Sequence, residues 1–398
     1  MDPRRNNNRT HTCALLYNGA VAIVLLSSTE GCWKMVVKVL ALVAASLFST
    51  AVEAGEHRLG NWNVQTLVHS ADTATVFPDD HHRTAADFAD LRKWRDLIAA
   101  DVMFLQEVTS PAAINEVFPV ANGWTHCISG QYAVLEHMNQ SGPVCTRVGE
   151  TPHMPVAAER QQFTAIALKE SAGLVLDMVA DLPELNVKSD DNGTIRDVRW
   201  GLDVILRDGA SRLRVLVVHL KSGCFDDRVD RKFFTRDPAL DPPAKFACDT
   251  LGRQMFPLHK WIRAREDAGE AWMIVGDFNR RLDLGGGRTQ DEVWTALTAF
   301  APNRDGLDQD NRPDTLMMRQ PYKEASLCWL EKRNAMPASL AEQDEYFFAP
   351  IEFFLYGAKV GALVTPASGG QVPWPNAQPK DNVRLSDHCP DVLNLKLE

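Results

Sequence analysis

The sequence predicts an α/β fold in which short apolar strands end in polar side chains along a common edge. One observation is the run Met273, Ile274 and Val275, closed by Gly276 and followed by Asp277 and Asn279. This reads as a buried strand, and two oxygen-bearing side chains one residue apart lie on one face of an extended chain. A second is that other apolar runs also end on polar groups, at Asn63, at Gln106 and Glu107, at His219, and at Asp387 and His388 near the last strand. The third is that segments with helical spacing separate these runs, as parallel or mixed sheets require. Such sheets gather strand ends where α/β proteins bind ligands.

Each element has its own signal. Residues 59–64 form a first strand. Thr84 and Asp87 make a capping-box-like start, and Phe88, Leu91, Trp94 or Arg95, and Ile98 follow helical spacing to about residue 99. Residues 102–105 are a buried strand leading into Gln106 and Glu107, and Ser110-Pro111 opens a short helix, proline being tolerated at the first helical position. Residues 162–168 and 174–179 read as strands. Residues 198–206 and 213–219 form a hairpin around Asp208-Gly209, a favoured turn dipeptide. The stretch 225–246 is a polar, proline-containing surface loop, and 248–265 is helical. The Trp272 strand follows, then a helix at 291–300, irregular chain at 301–345, and late strands at 351–355 and 391–397. Neither an internal repeat nor a composition break marks a second domain.

Length and composition agree with a sizeable core: 398 residues, 45% apolar and 24% charged. The N-terminal region stands apart. Residues 1–34 read as a mis-assigned start or an unstructured lead. Residues 35–54 have a basic start at Lys38, a short apolar core and small residues before Ala54, the pattern of a secretory signal. Its apolar core is too short to span a bilayer. That leaves residues 55–398 as a single domain, secreted or periplasmic, without stable membrane association, implied protein partner or oligomeric contact.

Cysteine usage fits export. Beyond residue 54 there are Cys127, Cys145, Cys224, Cys248, Cys328 and Cys389. Six cysteines allow fifteen pairings; the preferred set is 127–145 and 224–248 by proximity, and 328–389 by elimination. A zinc site has no C-x-x-C pair to support it. Charge is acidic: the chain is −10 overall, and the part after residue 54 holds 37 basic and 49 acidic residues, a net of −12. Bulk non-specific attraction to duplex DNA, which a basic surface supplies, is therefore missing. A local basic groove is compatible with this balance.

The polar strand ends have a chemistry in common. Carboxylates and amides leaving buried strands suit a hard divalent cation and a phosphate, and histidine titrates near neutrality, which suits proton transfer. Taken in order, Trp62-Asn63-Val64, Leu105-Gln106-Glu107, Val218-His219-Leu220-Lys221-Ser222-Gly223-Cys224, Gly276-Asp277-Phe278-Asn279-Arg280 and Ser386-Asp387-His388-Cys389-Pro390 resemble the endonuclease/exonuclease/phosphatase superfamily, the deoxyribonuclease-I-like fold. The His-Leu-Lys-Ser-Gly-Cys form is similar to its secreted bacterial members, whose cysteine typically pairs with one in the following helix.

This resemblance implies a four-layer sandwich of two packed mixed β-sheets flanked by helices, and a metal-dependent hydrolase of phosphoric esters. It makes Glu107 the principal metal ligand, with Asn63 and Asp387 beside the ion; Mg2+ is expected, with Mn2+ or Ca2+ as substitutes. Asp277 orients or deprotonates water, Asn279 hydrogen-bonds a phosphate oxygen, and His219 and His388 flank the phosphorus. Glu352 stands where the family usually has an aspartate behind the His388-type residue. Gln65 replaces an aspartate that helps hold metal in some nucleases. The carboxylate that some members place behind the His219-type residue has no clear match among Glu159, Gln161 and Gln162.

Arg160 and Arg199, near the starts of strands leading to the site, are expected to grip phosphate, and Lys221 to line the pocket. Arg231, Lys232, Phe233, Phe234 and Arg236 form a basic-aromatic cluster suited to a nucleic-acid strand. Nucleic acid is the favoured substrate, for an endonuclease acting on DNA or RNA. The alternative is a lipid-headgroup, sphingomyelinase-like or small-molecule phosphodiesterase or phosphatase, for which Tyr346, Phe347 and Phe348 are a slight indication. A third reading, a non-catalytic or toxin-like binding subunit, is opposed by the intact Glu107, His219, Asp277, Asn279 and His388.

Overall fold

The computed structural model describes residues 11–17, 20–26, 55–70, 83–154, 161–224, 228, 229, 232, 234, 236–280, 282, 292–298, 317–319, 351–374, 385, 386 and 388–397. The chain divides into two compact units, Met1–Ala54 and Gly55–Glu398. In the first, β1 (His11–Tyr17) and β2 (Ala20–Leu26) pair as an antiparallel hairpin. The rest of residues 1–34 lies outside the described residues. The segment read as a secretory signal lies outside the described residues.

The second unit holds two mixed sheets. One contains β3 (Gly55–Leu67), β4 (Val102–Val108), β5 (Trp124–Ile128), β6 (Val144–Thr146), β7 (Phe163–Lys169), β16 (Gly370–Gln371) and β17 (Asp391–Leu397), in the order β16-β17-β3-β4-β7-β5-β6. The other contains β8 (Val175–Leu182), β11 (Gly201–Asp208), β12 (Ser211–His219), β13 (Trp272–Asp277), β14 (Met317–Arg319) and β15 (Glu352–Tyr356), in the order β14-β15-β13-β12-β11-β8. A small ladder of β9 (Ser189–Asp191) and β10 (Thr194–Arg196) stands apart. The helices are α1 (Ala85–Ile98), α2 (Pro111–Val117), α3 (Gln131–Leu135), α4 (Ala247–Asp267), α5 (Glu292–Thr298) and α6 (Ala358–Leu363). Among the described residues, no helix is long and apolar enough to cross a membrane.

Three buried layers of side chains give the order helix, sheet, sheet, helix. Trp62, Met103 and Leu105 from the first sheet meet Phe88, Leu91, Trp94 and Ile98 of α1. Leu59, Phe104 and Ile166 meet Val204, Val215, Met273 and Val275 between the sheets. Leu216, Ile274 and Leu355 meet Leu251, Met255 and Trp261 of α4. The alternation is that of strands covered on both faces: Leu105 points to the helices and Phe104 to the other sheet. This is the four-layer sandwich expected.

Helix α1 starts as its sequence requires. Thr84 accepts from the Asp87 amide, and the Asp87 carboxylate accepts from the Thr84 amide in return. The hairpin at Asp208-Gly209 forms in register, with Asp208 opposite Ser211. Helix α4 carries Pro257 within it, and Cys224 is tied to its first turn by a disulfide to Cys248. Cys127 pairs with Cys145. Cys389 is also disulfide-bonded, but Cys328 lies outside the described residues, so that pairing is not described. Strand β5, α3 and α6 carry no sequence signal that had been read; each is short and completes a layer begun by a neighbour.

The two parallel pairings, β3 with β4 and β12 with β13, fix the functional edge. Four strands end there, and the antiparallel β7, β11, β15 and β17 begin there. Register aligns His219 with Asp277, and Asp277 with Glu352, in one row across three strands.

Candidate active site

Asn63 is the centre of the site. It ends the regular part of β3, and its Nδ2 donates to Glu107 Oε1 at 3.0 Å and to Asp277 Oδ2 at 2.9 Å. One amide therefore holds a carboxylate from each sheet. Its own Oδ1 accepts from the Gln65 amide at 3.0 Å. Glu107 Oε2 receives the Thr66 amide at 3.0 Å, the Thr66 hydroxyl at 3.2 Å and Gln162 Nε2 at 2.7 Å.

His219 presents Nε2 to both carboxylates, 3.6 Å from Asp277 Oδ2 and 3.8 Å from Glu107 Oε1. These are ion-pair distances, longer than hydrogen bonds. Among the described residues its Nδ1 is buried without a hydrogen-bond partner. On the other side, His388 Nδ1 is hydrogen-bonded to Glu352 Oε1. A carboxylate accepts and does not donate, so the Nδ1 of His388 carries the proton in this bond. Glu352 and His388 are both buried. Ser386 locks the approach: its hydroxyl donates to the Asn63 carbonyl at 2.7 Å and accepts from the His388 amide at 3.0 Å.

The backbone is built for these positions. Gln65, Thr66, Glu107 and Asn279 all have positive φ, between 46° and 61°. Left-handed backbone costs a non-glycine residue about 1 kcal/mol or more, and four such residues gather at this edge. Gly276 is required by contact as well as by φ: a Cβ there would lie 1.9 Å from the Val218 carbonyl oxygen. Arg83 holds the β3 turn by donating to the carbonyls of Val64, Gln65 and Thr66, and reaches the Leu385 carbonyl at 2.9 Å.

Burial and neighbouring charge set the protonation states. Desolvation, then the nearby Glu352 charge, raises the Asp277 carboxyl to about 7. Desolvation, with Arg199 and His388 adding to it, pushes His219 well below its ordinary value, so its imidazole is neutral at neutral pH. A carboxyl that titrates near 7 beside a neutral imidazole gives the site proton acceptors near working pH.

The donor set fits a hard divalent cation. Glu107 and Asp277 are hard oxygen donors, and Glu107 Oε1, which Gln162 and Thr66 leave to Asn63 Nδ2, lies on the side of Asp277 and His219, whereas the Asn63 amide oxygen accepts from the Gln65 amide. Asp277, Glu352 and His388 form a second group whose ligand atoms lie within 4.8 Å of one another. In that group the Glu352–His388 bond already occupies one imidazole nitrogen.

The structure brings together Asn63, Glu107, His219, Asp277, Asn279, Glu352, His388 and Arg199. Asp387 and Arg160 lie outside the described residues. Asn279 spends one amide hydrogen on the Leu220 carbonyl at 3.0 Å, and its backbone amide donates to Asp277 Oδ1 at 2.6 Å. Lys221 bonds through its backbone amide to Gln254 Oε1 at 2.9 Å, and none of the described contacts ties its ammonium to the site. Phe234 corrects the basic-aromatic reading: it is 7% exposed, packed in the core with Leu251, and cannot stack on a base. Arg236 is engaged with Asp241 at 2.6 Å. Arg231, Phe233 and Tyr346–Phe348 lie outside the described residues.

Thr66, Gln162 and Arg83 were not expected at the site. Gln162 had been weighed only as a partner for His219, and it bonds Glu107 instead. Arg83 and Thr66 lie outside the motifs, and only the fold reveals them.

No family model matches the chain, and no curated protein matches it either. Among solved structures, it is similar to D. rerio TDP2 complexed with single strand DNA product, at 17% identity over 85% of this chain and 98% of that one, with a TM-score of 0.46. It is also similar to the human Nocturnin catalytic domain with bound sulfate, at 12% identity, 87% and 96% coverage and a TM-score of 0.43. An endonuclease/exonuclease/phosphatase from Bacteroides vulgatus gives 13% identity, 86% and 99% coverage and 0.45. The description of the third structure names the superfamily that the motifs resemble. All three scores are below 0.5, and the chemistry argued below is taken from this chain's own residues.

Proposed function

We propose that the chain is a metal-dependent phosphodiesterase, exported from the cell, that hydrolyses nucleic acid. The observation that carries the reading is the convergence of Glu107 and Asp277 on the Asn63 amide, with His219 and His388–Glu352 on either side. Glu107, Asn63 and, from its motif, Asp387 would hold Mg2+ or Mn2+. When bound, the ion supplies Lewis acidity and charge neutralisation at the phosphoryl oxygens.

The side chains supply the rest. Asp277, titrating at about 7, orients the attacking water and takes up its proton. His388, with its imidazolium stabilised by Glu352, gives a proton from Nε2 to the leaving oxygen. His219, neutral and wedged between two carboxylates, hydrogen-bonds the phosphoryl group without adding a resident charge. Arg199 and the Asn279 amide bind phosphate oxygens. His219 and His388 would flank the phosphorus from its two sides, as in-line displacement requires of its acid and base.

Export is supported by the sequence of residues 35–54 and by the disulfides, Cys127–Cys145 and Cys224–Cys248 among them, since such bonds persist in oxidising compartments. The test is a substrate panel. Protein beginning at residue 55 is offered plasmid DNA, RNA, sphingomyelin and a chromogenic phosphodiester with Mg2+, Mn2+ or Ca2+. Cleavage of DNA or RNA that EDTA abolishes supports the reading; release of choline phosphate alone would replace it with the lipid-headgroup alternative, and no turnover of any of the four would overturn it.

A further inference from the structure

Gln162 sits immediately before β7, half-buried, with its amide spent at both ends. Nε2 donates to Glu107 Oε2 at 2.7 Å and to Thr66 Oγ1 at 2.6 Å, and Oε1 accepts from Arg199 Nη2 at 2.7 Å. Glu107 and Arg199 carry opposite charges and influence each other through space. Yet among the described residues no ion pair joins them. Arg199 reaches Glu107 only through this amide.

We propose that Gln162 is a positioning residue that keeps Glu107 and Arg199 apart, so that one stays available to a cation and the other to a phosphate. This rests on the phosphodiesterase reading above. Three features carry it. First, an amide presents N–H groups to a carboxylate and a carbonyl to a guanidinium, and it has no charge with which to cancel either. A glutamate at 162 would satisfy Arg199 but place a second carboxylate against Glu107; a lysine would neutralise Glu107.

Second, the bond fixes which oxygen of Glu107 is engaged. Oε2 takes Gln162 and both Thr66 donors, while Oε1 remains on the side of Asn63, Asp277 and His219. Third, Gln162 occupies only one nitrogen of Arg199. The remaining guanidinium donors are those a phosphate would take in a forked contact. Were the two charges to close on each other, both functions would be lost in one ion pair.

The test uses Gln162→Met, which keeps the length of the side chain and removes its hydrogen bonds, with Gln162→Ala as a second variant should the first not fold by circular dichroism. Mn2+ binding is followed by electron paramagnetic resonance, KM and kcat with a chromogenic phosphodiester, and the metal-free crystal structure is solved. The expected results are Mn2+ binding weakened at least about tenfold, a raised KM, and a direct Arg199–Glu107 contact in the crystal. Adding Arg199→Ala to Gln162→Met should restore Mn2+ affinity, because nothing remains to quench Glu107; a purely structural role would not be rescued in this way. Mn2+ affinity within twofold of wild type, or no restoration in the double variant, overturns the proposal. Failure of the wild type to turn over any phosphodiester is a failure of the functional reading instead, and the metal-free crystal structure still decides whether Gln162 separates the two charges.

Discussion

Glu352 and His388 come from different sheets and meet in a buried carboxylate–imidazole hydrogen bond at the active edge. Glu352 opens β15 beside Asp277, and His388 lies just before β17. The bond therefore orients an imidazole and ties the two halves of the sandwich together where the chemistry is proposed.

Glu352→Gln keeps the size of the side chain and removes the charge that stabilises the imidazolium. The expected outcome is a kcat lowered at least about tenfold, with a normal far-ultraviolet circular dichroism spectrum. Glu352→Asp should recover part of that loss. Steady-state kinetics on the chromogenic phosphodiester measures both, and full activity in Glu352→Gln would remove Glu352 from the mechanism.

His219→Ala and His388→Ala are each expected to lower kcat by at least about a hundredfold, with the fold retained. The two need not respond alike to pH. His219 is neutral because burial and the positive charges of Arg199 and His388 oppose its protonation, so lowering the pH toward 6 should not charge it. Near-normal turnover in both variants would refute their assignment.

Asp277 gives a trade between stability and activity. Its folded pKa of about 7 is raised above the ordinary 3.8, so between these values the folded protein keeps a proton that the unfolded chain has lost. Its contribution to stability is therefore greatest in acid and declines as pH rises from about 4 to 7. Asp277→Asn, measured in EDTA at pH 8, is expected to be more stable than wild type by about 1 kcal/mol or more, and to lose most of its activity. Thermal melts across pH check the first part and kinetics the second.

His126 is a buried residue of β5 in the first sheet, with neither ring nitrogen hydrogen-bonded among the described residues, and desolvation lowers its pKa to about 4. The sign is opposite to that of Asp277. Between pH 6.5 and 4 the unfolded chain binds a proton that the folded one refuses, so stability is complete above 6.5 and falls as the pH drops. The shift corresponds to about 3 kcal/mol. His126→Leu should flatten this part of the pH–melting curve; an unchanged slope would show that acid sensitivity arises elsewhere.

Much of the site was legible because each of its residues follows an apolar run. Met273–Val275 before Asp277, and the β12 run before His219, are local signals that need no partner to be read. Glu352 was legible through its strand, and the register then placed it beside Asp277. The residues that hold the site in place carried no such signal. Thr66 matters because its backbone has positive φ and aims both its amide and its hydroxyl at Glu107, and Arg83 because it spans four carbonyls of two distant segments. Gln162 is one of several polar residues before a strand, and only the sheet order brings β7 beside β4 and makes it a neighbour of Glu107. Phe234 failed in the other direction: a composition suited to stacking was used for packing against α4.

The most direct measurement is a plasmid cleavage assay on protein beginning at residue 55, comparing wild type with Glu107→Gln, each with Mg2+ and with EDTA. Cleavage by the wild type with Mg2+, absent in EDTA and absent in Glu107→Gln, is the predicted result. Cleavage that persists in EDTA, or a Glu107→Gln variant as active as wild type, would contradict the claim that a cation held at Glu107 drives the reaction.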